Sequence, residues 1–557
     1  MLTQPSMKPS DDLFQLIQSL TKGEKRHFRL TASLQKGAKQ YLRLFDAIEQ
    51  MEEYDERGLK QQFGNERFVR QFNVAKGYLY NMILKSLRGC YADYNANAEA
   101  KDLLKSIAIL FEKGLTPQAA KLVQKLLALA RQHGLQVVLI EALYWQGKVD
   151  DRLLRTEAGV TQNFTELYDA LEQYRAALMA EESLFRIRLA LPDDAPRTAT
   201  QLAEANGWME QIVELGKAAP NSLNVQLWGL LGRFLFSIGQ QDLVAAHNAI
   251  AQLVQTFEQN PAWCRERAGS YMMALHNLAA SQRMLYDEEG LERTIAKMRH
   301  STELICAETR PVGLHLRTYL FLTTCLHRLR LLNRMGEFRQ ATLLAPQINQ
   351  GIEEYGNHLP DELTQAYHLA LAESYFGAGQ YRQALECNNR VLASPPPELR
   401  RLAWENARLF NLMIHYELGN VELMEHLIRS TYRYFSRQPN QTQFHRIVLS
   451  CFRRLLRMRT RQELQAIFLG TQQELALLRL DPYESSMQEV HRFGLWLSAK
   501  TTGEELAQLS RKEYDLAKDY YQQLLGQQQG GSRKGDQPAE LQTEEFQPAE
   551  MEYPAVA

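Results

Sequence analysis

The sequence predicts an all-α protein, a right-handed α-solenoid of stacked helical hairpins with a helical cap at its N-terminal end. Through most of the 557 residues, apolar side chains recur at three- and four-residue spacing, which indicates amphipathic helices. Short breaks containing Gly, Pro, Asn or Asp separate these helices, and the breaks inside hairpins recur at intervals of about 40 to 50 residues. Alternating patterns typical of strands are absent from the sequence, and the length exceeds that of one ordinary core.

The hairpin breaks predict where one helix turns back into the next. Gly336 and Gly379 are suited to the left-handed backbone conformation that ends many helices. The predicted breaks lie near Gly114, Gly239, Tyr286, Gly336, Gly379 and Gly419.

One predicted hairpin has a well-defined pattern of large and small side chains. From Gln365 it reads QAYHLALAESYFGAGQYRQALECNNRVLASPPPE. A small residue such as Ala372 lets two helices approach closely, and a large one such as Tyr375 fills the adjacent gap. The pattern positions are Leu371, Ala372, Tyr375, Gly379, Tyr381, Ala384 and Pro396.

At this spacing the stretch resembles a tetratricopeptide (TPR) repeat. A second, partial resemblance begins near Val225, with Trp228, Leu231, Gly232 and Gly239 at the corresponding positions. The resemblance implies a TPR-like solenoid, since such a unit buries its apolar faces only against stacked neighbours. It also implies a concave groove that holds a peptide or helix of another protein.

Four regions are predicted along the chain. Residues 1–97 form a basic N-terminal helical cap, and 98–480 form the TPR-like solenoid. Residues 481–525 form two closing helices, near 482–499 and 503–525. Residues 526–557 are polar, rich in Gly, Pro and Gln, and predicted to be a disordered tail. The tail carries QPAE twice, from 537 and from 547, and is either a passive solubilising segment or a short motif that docks on a partner or back into the groove.

Composition excludes several broad classes. With 64 basic and 65 acidic residues, no overall field attracts nucleic acid or a membrane surface. The six cysteines are widely separated, as expected of reduced thiols in a cytoplasmic protein. Neither a signal-peptide pattern nor a run of about 20 apolar residues is present, so a soluble cytoplasmic protein is expected.

The densest charge feature lies between positions 429 and 461, where nine arginines occur without a lysine or an acidic residue. Helical spacing places them in two stripes on consecutive helices, which we expect to merge into one patch. Arginine binds carboxylate or phosphate through two parallel hydrogen bonds. The alternative is a solvated face, or pairing with Glu422, Glu425 and Glu463. The predicted partner-binding residues are Arg429, Arg433, Arg437, Arg446, Arg453, Arg454 and Arg457.

A second basic segment lies in the cap. If 66–88 is one helix, Arg67, Arg70, Lys85 and Arg88 share a narrow sector of its surface. Such a sector is a candidate contact for nucleic-acid phosphates, although no residue pattern makes a helix-turn-helix specific here. The alternative is an ordinary solvated helix face.

Enzyme signatures are missing from the sequence. Gly147 and Lys148 lack the upstream glycine of a phosphate-binding loop, and no HExxH, GxSxG or GxGxxG occurs. No catalytic residue, metal site or cofactor is therefore predicted. The expected function is a protein–protein interaction scaffold, adaptor or regulatory subunit that binds a peptide or helix, including an acidic or phosphorylated segment held by the arginines. The alternative is a nucleic-acid-associated regulator that uses the basic cap.

Overall fold

The computed structural model describes residues 11–33, 39–90, 95–153, 156–191, 198–308, 312–355, 359, 361–393, 401–437, 442–478 and 488–531. Within these ranges the chain is almost entirely helical and contains no strand. Helices that follow one another in sequence pack as neighbours, so the predicted all-α solenoid is confirmed. Along the same ranges, no helix combines the length and apolar character needed to cross a membrane.

The N-terminal cap has a core of its own. Phe28, Phe45 and Leu79 are fully buried in one apolar cluster that contains no residue of the later helices. The cap helices are α1 (Asp12–Ser19), α2 (Lys22–Ser33), α3 (Lys39–Glu49), α4 (Glu56–Gln62), a 3-10 helix (Arg67–Gln71) and α5 (Phe72–Cys90). The condition that 66–88 is one α-helix is therefore not met: α5 begins at Phe72, and the preceding 3-10 turn has a different angular period.

The first half of the array contains the longest helix of the described chain, α9. It packs on α8 and α10 and also on α11, as the leading helices of successive hairpins do. The helices are α6 (Ala96–Glu112), α7 (Thr116–His133), α8 (Gln136–Arg152), α9 (Glu157–Ala190), α10 (Ala199–Ala218), α11 (Leu223–Gly239), α12 (Leu243–Gln259) and α13 (Pro261–Glu266).

The second half carries the hairpin with the tetratricopeptide-like pattern. Ala372 and Ala384 are fully buried where α19 meets α20, as the steric argument requires. Pro396 lies outside the described residues. The helices are α14 (Ala268–Met284), α15 (Glu288–Glu308), α16 (Val312–Arg334), α17 (Phe338–Thr342), α18 (Ala345–Tyr355), α19 (Asp361–Gly377) and α20 (Tyr381–Ala393).

The turns between paired helices agree with the predicted breaks. Gly114, Gly336, Gly379 and Gly419 all have φ between 70° and 75°. Tyr286 takes the same left-handed conformation with φ of 59°, although it carries a side chain. Near Gly239 the left-handed residue is instead Gln241, two positions beyond the end of α11.

The last six helices of the described chain complete the array, and α25 and α26 pack back against earlier helices. They are α21 (Arg401–Glu417), α22 (Val421–Phe435), α23 (Gln443–Arg457), α24 (Arg461–Leu478), α25 (Gln488–Thr502) and α26 (Leu506–Gly531). Trp496 of α25 packs against Tyr416, Phe452 and Phe468 in the largest apolar cluster, which extends back to α16.

The closing helices differ from the predicted bounds. Helix α26 extends through Gly531, so the tail predicted to begin at Gly526 starts inside a helix. The three consecutive glutamines at 527–529 have good helix propensity and favour part of this extension, whereas Gly526, Gly530 and Gly531 do not. The rest of the predicted tail, from 532 onward, lies outside the described residues.

Candidate functional site

Helix α22 is strongly amphipathic, and this places its arginines. Met424, Ile428, Thr431 and Phe435 are buried against neighbouring helices. The opposite face therefore carries the residues that lie four apart, Arg429 and Arg433, with Arg437 just beyond the helix end; all three are exposed. The predicted first stripe is thus present as a line of three guanidinium groups.

This line forms one wall of a groove of about 590 Å³ between α21 and α22. We call it the arginine groove. The residues that line it are Arg408, His426, Arg429, Ser430, Arg433, Tyr434 and Arg437. Among these described lining residues, Arg408 alone comes from α21, and sequence reasoning missed it.

Arg408 is held in place by two aromatic rings. Its Cζ atom lies 4.6 Å from the centroid of the Trp404 ring and 5.2 Å from that of Tyr434. One terminal nitrogen also donates to the Ser430 hydroxyl at 2.8 Å. Stacking and this hydrogen bond restrict the rotamers of a long side chain, which reduces the entropy lost when the guanidinium binds an anion.

The charge of Arg408 has no carboxylate partner among the described residues. Burial lowers the pKa of its guanidinium, and the Tyr434 hydroxyl opposes part of this shift. An arginine stays charged under such conditions, because its ordinary pKa lies far above neutral pH. The nearby Glu405 is buried and accepts a hydrogen bond from the Tyr434 hydroxyl at 3.1 Å. A half-buried positive charge without a counter-charge favours the binding of an anionic group.

Only one carboxylate among the described residues pairs with the groove arginines. Glu425 accepts a hydrogen bond from Arg429 at 2.8 Å, four residues apart on α22. Both side chains are more than half exposed, so this pair contributes at most about 1 kcal/mol and exchanges easily. Arg433 and Arg437 form no ion pair with any described residue. Among the described residues, the groove therefore presents four positive groups and one carboxylate at its rim.

The second predicted stripe does not join the first as a whole. Arg453 reaches α22, with its Cζ 4.2 Å from the centroid of the Tyr432 ring. Arg446 is exposed on α23. Arg454 instead bonds Thr471 and Glu474 of α24, each at 3.0 Å, so its charge is neutralised by the next helix. Arg454 therefore does not contribute to the predicted patch.

Arg457 also lies toward α24. It lines a separate groove of about 410 Å³ with Arg454, Met458, Glu463, Ala466 and Ile467. Inter-helix pairing thus occurs on the α23–α24 side, but between Arg454 and Glu474 and not with the expected Glu463. On the α21–α22 side, the expected Glu425 pairs with Arg429 of its own helix.

The basic residues of the cap show a different arrangement. Arg70, Lys85 and Arg88 are exposed, and the side chain of Arg67 lies outside the described set. They do not form one helical sector, because the 3-10 helix carries two of them and α5 the others.

Several other cap cations pair internally. Lys25 pairs with Glu49 and Arg29 with Asp46, at 3.4 and 2.9 Å. Lys76 and Glu56 form a nearly buried pair at 2.6 Å. Burial alone would raise the pKa of Glu56, but hydrogen bonds from Lys60, Lys76 and Tyr54 outweigh it and lower the pKa to about 2. Much of the positive charge predicted for the cap therefore stabilises the cap itself.

No group of three or more His, Cys, Asp or Glu side chains suited to a metal ion occurs within the described ranges. The described cysteines are free thiols, and burial raises the pKa of Cys387 and Cys451 to about 11. Such thiols are poor nucleophiles at neutral pH. The guanidinium groups of the arginine groove have the geometry and charge to bind an anion.

Comparison with known proteins gives no family for the chain. No protein-family model matches it. No curated protein matches it either. Among solved structures, the chain is similar to the crystal structure of NprR in complex with its cognate peptide NprX, at 14% identity and a TM-score of 0.37. That likeness covers 67% of this chain and 98% of NprR. Membership of the tetratricopeptide class therefore stays a prediction.

Proposed function

We propose that the chain is a protein–protein interaction scaffold or regulatory subunit that binds an acidic segment of another protein in the arginine groove. The segment supplies carboxylate or phosphate oxygens, and both take the same paired hydrogen bonds from a guanidinium. A binding role without catalysis is part of the proposal.

The observation that carries the proposal is the state of Arg408. It is stacked between Trp404 and Tyr434, has no described carboxylate partner, and faces a groove that three further arginines line. A monomer gains no stability from four neighbouring positive charges, because like charges repel. An anionic ligand offsets that repulsion, and the partly desolvated setting strengthens each charge-assisted hydrogen bond.

The test is the binding of labelled peptides to the full chain, measured by fluorescence anisotropy. The probes are a glutamate-rich peptide, the same peptide with phosphoserines, and the same peptide with every Glu replaced by Gln. We expect the two acidic peptides to bind with an affinity that falls as salt rises, and the Gln peptide not to bind.

Charge reversal locates the site. Arg433→Glu with Arg437→Glu should abolish binding, since two attractive contacts become repulsive. The matched control is Arg339→Glu with Arg382→Glu, which makes the same change in net charge at exposed arginines outside the groove. An equal loss of peptide binding in both double variants would show that net charge alone explains the effect, and would contradict the proposal. Binding of duplex DNA that depends on Arg70 and Arg88 would replace it with the nucleic-acid alternative.

A further inference from the structure

Helix α9 exposes a continuous apolar line. The helix has 34 residues, which corresponds to about 50 Å at the usual rise per residue. Six large apolar side chains on it are between 42% and 81% exposed, and we call this set the apolar seam: Phe164, Tyr168, Leu171, Leu178, Phe185 and Leu189. Isolated exposed leucines are common on proteins, but a line of six on one helix marks an interaction site.

The spacing of the apolar seam is that of a coiled coil. Eight positions of α9 follow one another at alternating spacings of four and three residues. Six of them are the residues of the apolar seam, and the other two are Arg175 and Glu182. At about 100° per residue, these eight positions stay within a sector of roughly 100° along the whole helix. The other side of α9, including Ala180, Leu184 and Ile187, is buried against the array. One face of α9 is therefore buried within the array, and the opposite face is exposed and available to pack against another helix.

The two polar positions indicate which helix covers the seam. In a parallel pair of identical helices, Arg175 would face Arg175 and Glu182 would face Glu182. In an antiparallel pair with its two-fold axis between positions 178 and 179, each Arg175 faces Glu182 of the second copy, and Tyr168 faces Leu189. Polar residues at seam positions select register and orientation in this way. The seam is thus complementary in charge to an antiparallel copy of itself.

The present partners of these two residues do not prevent this arrangement. Arg175 pairs with Glu172 at 2.9 Å, and Glu182 pairs with Arg186 at 3.0 Å, within α9. All four side chains are at least half exposed, so the pairs are weak and can rearrange or extend. The exposed parts of the apolar seam on two copies amount to an interface on the order of 1,000 Å², the size at which specific contacts begin.

We infer that α9 is a self-association surface, through which two copies of this chain pair as antiparallel helices along the apolar seam. This inference does not rest on the arginine groove, which lies on other helices.

The first experiment is sedimentation velocity of the full chain over roughly a hundredfold range of concentration, enough to reveal micromolar self-association. We expect a dimer that dissociates on dilution. Leu178→Glu, at the centre of the seam, should give a monomer at every concentration. Leu343→Glu, at a position 78% exposed and outside the seam, should leave the dimer unchanged.

Charge exchange then tests the orientation. Arg175→Glu alone and Glu182→Arg alone should each weaken the dimer at least about tenfold, since like charges then face one another. The double exchange should recover the original dissociation constant. These surface changes also keep the inference testable if Leu178→Glu impairs folding, which circular dichroism reports.

Three results would overturn the inference. They are a wild-type chain that stays monomeric at the highest concentration, a dimer indifferent to Leu178→Glu, and a double exchange that restores nothing. A dimer weakened by the Leu178 change alone, without charge rescue, would exclude the antiparallel register.

Discussion

The Tyr514 hydroxyl donates a 2.8 Å hydrogen bond to the Glu288 carboxylate and so joins positions separated by 226 residues. Lys518, one turn further along α26, pairs with the same carboxylate at 2.7 Å. The Tyr514 ring also packs edge-on against Tyr286, at the turn between α14 and α15. Helix α26 therefore packs against the middle of the array. The solenoid is stabilised by this long-range contact as well as by the stacking of neighbouring helices.

The Tyr514 bond predicts a stability effect with a clear control. Tyr514→Phe keeps the buried ring and removes only the hydroxyl, so it should lower the free energy of unfolding by about 1.5–3 kcal/mol, as expected for a hydrogen bond to a charged group. Tyr520→Phe, on the same helix but 44% exposed, should change it by less than about 0.5 kcal/mol. Urea unfolding followed by circular dichroism measures both. Equal effects of the two substitutions would show that α26 does not depend on this contact.

Two glycines with the same backbone conformation provide a test of how α26 docks. Gly336 and Gly379 have φ of 74° and 75°, so alanine is strained at either position by about 1–2 kcal/mol. A Cβ atom at Gly336 would also overlap with the Ala507 carbonyl oxygen of α26, whereas at Gly379 it would meet no atom within 4 Å.

Gly336→Ala should therefore destabilise the chain more than Gly379→Ala and loosen α26. Hydrogen exchange of the α26 amides, read by mass spectrometry, separates the two effects. We expect faster exchange in α26 only for the Gly336 variant. The same exchange rate in both variants would contradict the close approach of Ala507.

A buried histidine pair predicts a loss of stability in mild acid. His327 Nε2 and His276 Nδ1 are 3.0 Å apart, so in the neutral pair one ring donates and the other accepts. Burial, with the neighbouring Arg330 and Arg283 acting in the same direction, lowers the pKa of His276 to about 4. Burial also lowers the pKa of His327, with His276 and both arginines acting in the same sense.

Because the unfolded chain binds protons near pH 6.5 and the folded pair does not, stability is complete above that pH and falls as the pH drops toward 4. At pH 5 the cost is about 2 kcal/mol for one such histidine. We expect the free energy of unfolding of His276→Phe to differ less between pH 7.5 and pH 5 than that of the wild type. His300→Phe, at an exposed position, is the control. An unchanged pH response in His276→Phe would place the acid sensitivity elsewhere.

Local features of the fold were predictable from the sequence, and contacts between distant segments were not. The turns at Gly336 and Gly379 follow from a conformational freedom that belongs to the residue itself. Nothing near Tyr514 indicates Glu288, because their contact depends on how many hairpins separate them and how each is inclined.

The arginine groove shows the same division. The stripe of Arg429, Arg433 and Arg437 follows from helical spacing, but Arg408 belongs to another helix, α21. Its one local signal is the aromatic Trp404 four residues earlier, a spacing that places a guanidinium over a ring. The pairing of Arg454 with Glu474 likewise could not be predicted without knowing which helix packs beside α23.

Arg408 itself supports the last prediction, which separates charge from shape. Arg408→Lys keeps the positive charge in the arginine groove but loses the planar group that stacks on Trp404 and Tyr434 and the fork that binds two oxygens. We expect affinity for the acidic peptides to fall about tenfold, or about 1.4 kcal/mol, with a smaller fall for Arg429→Lys, because Arg429 is exposed and unstacked. Anisotropy titrations at equal ionic strength measure both. If the two lysine variants bind alike, net charge explains recognition and the stacked guanidinium has no special role.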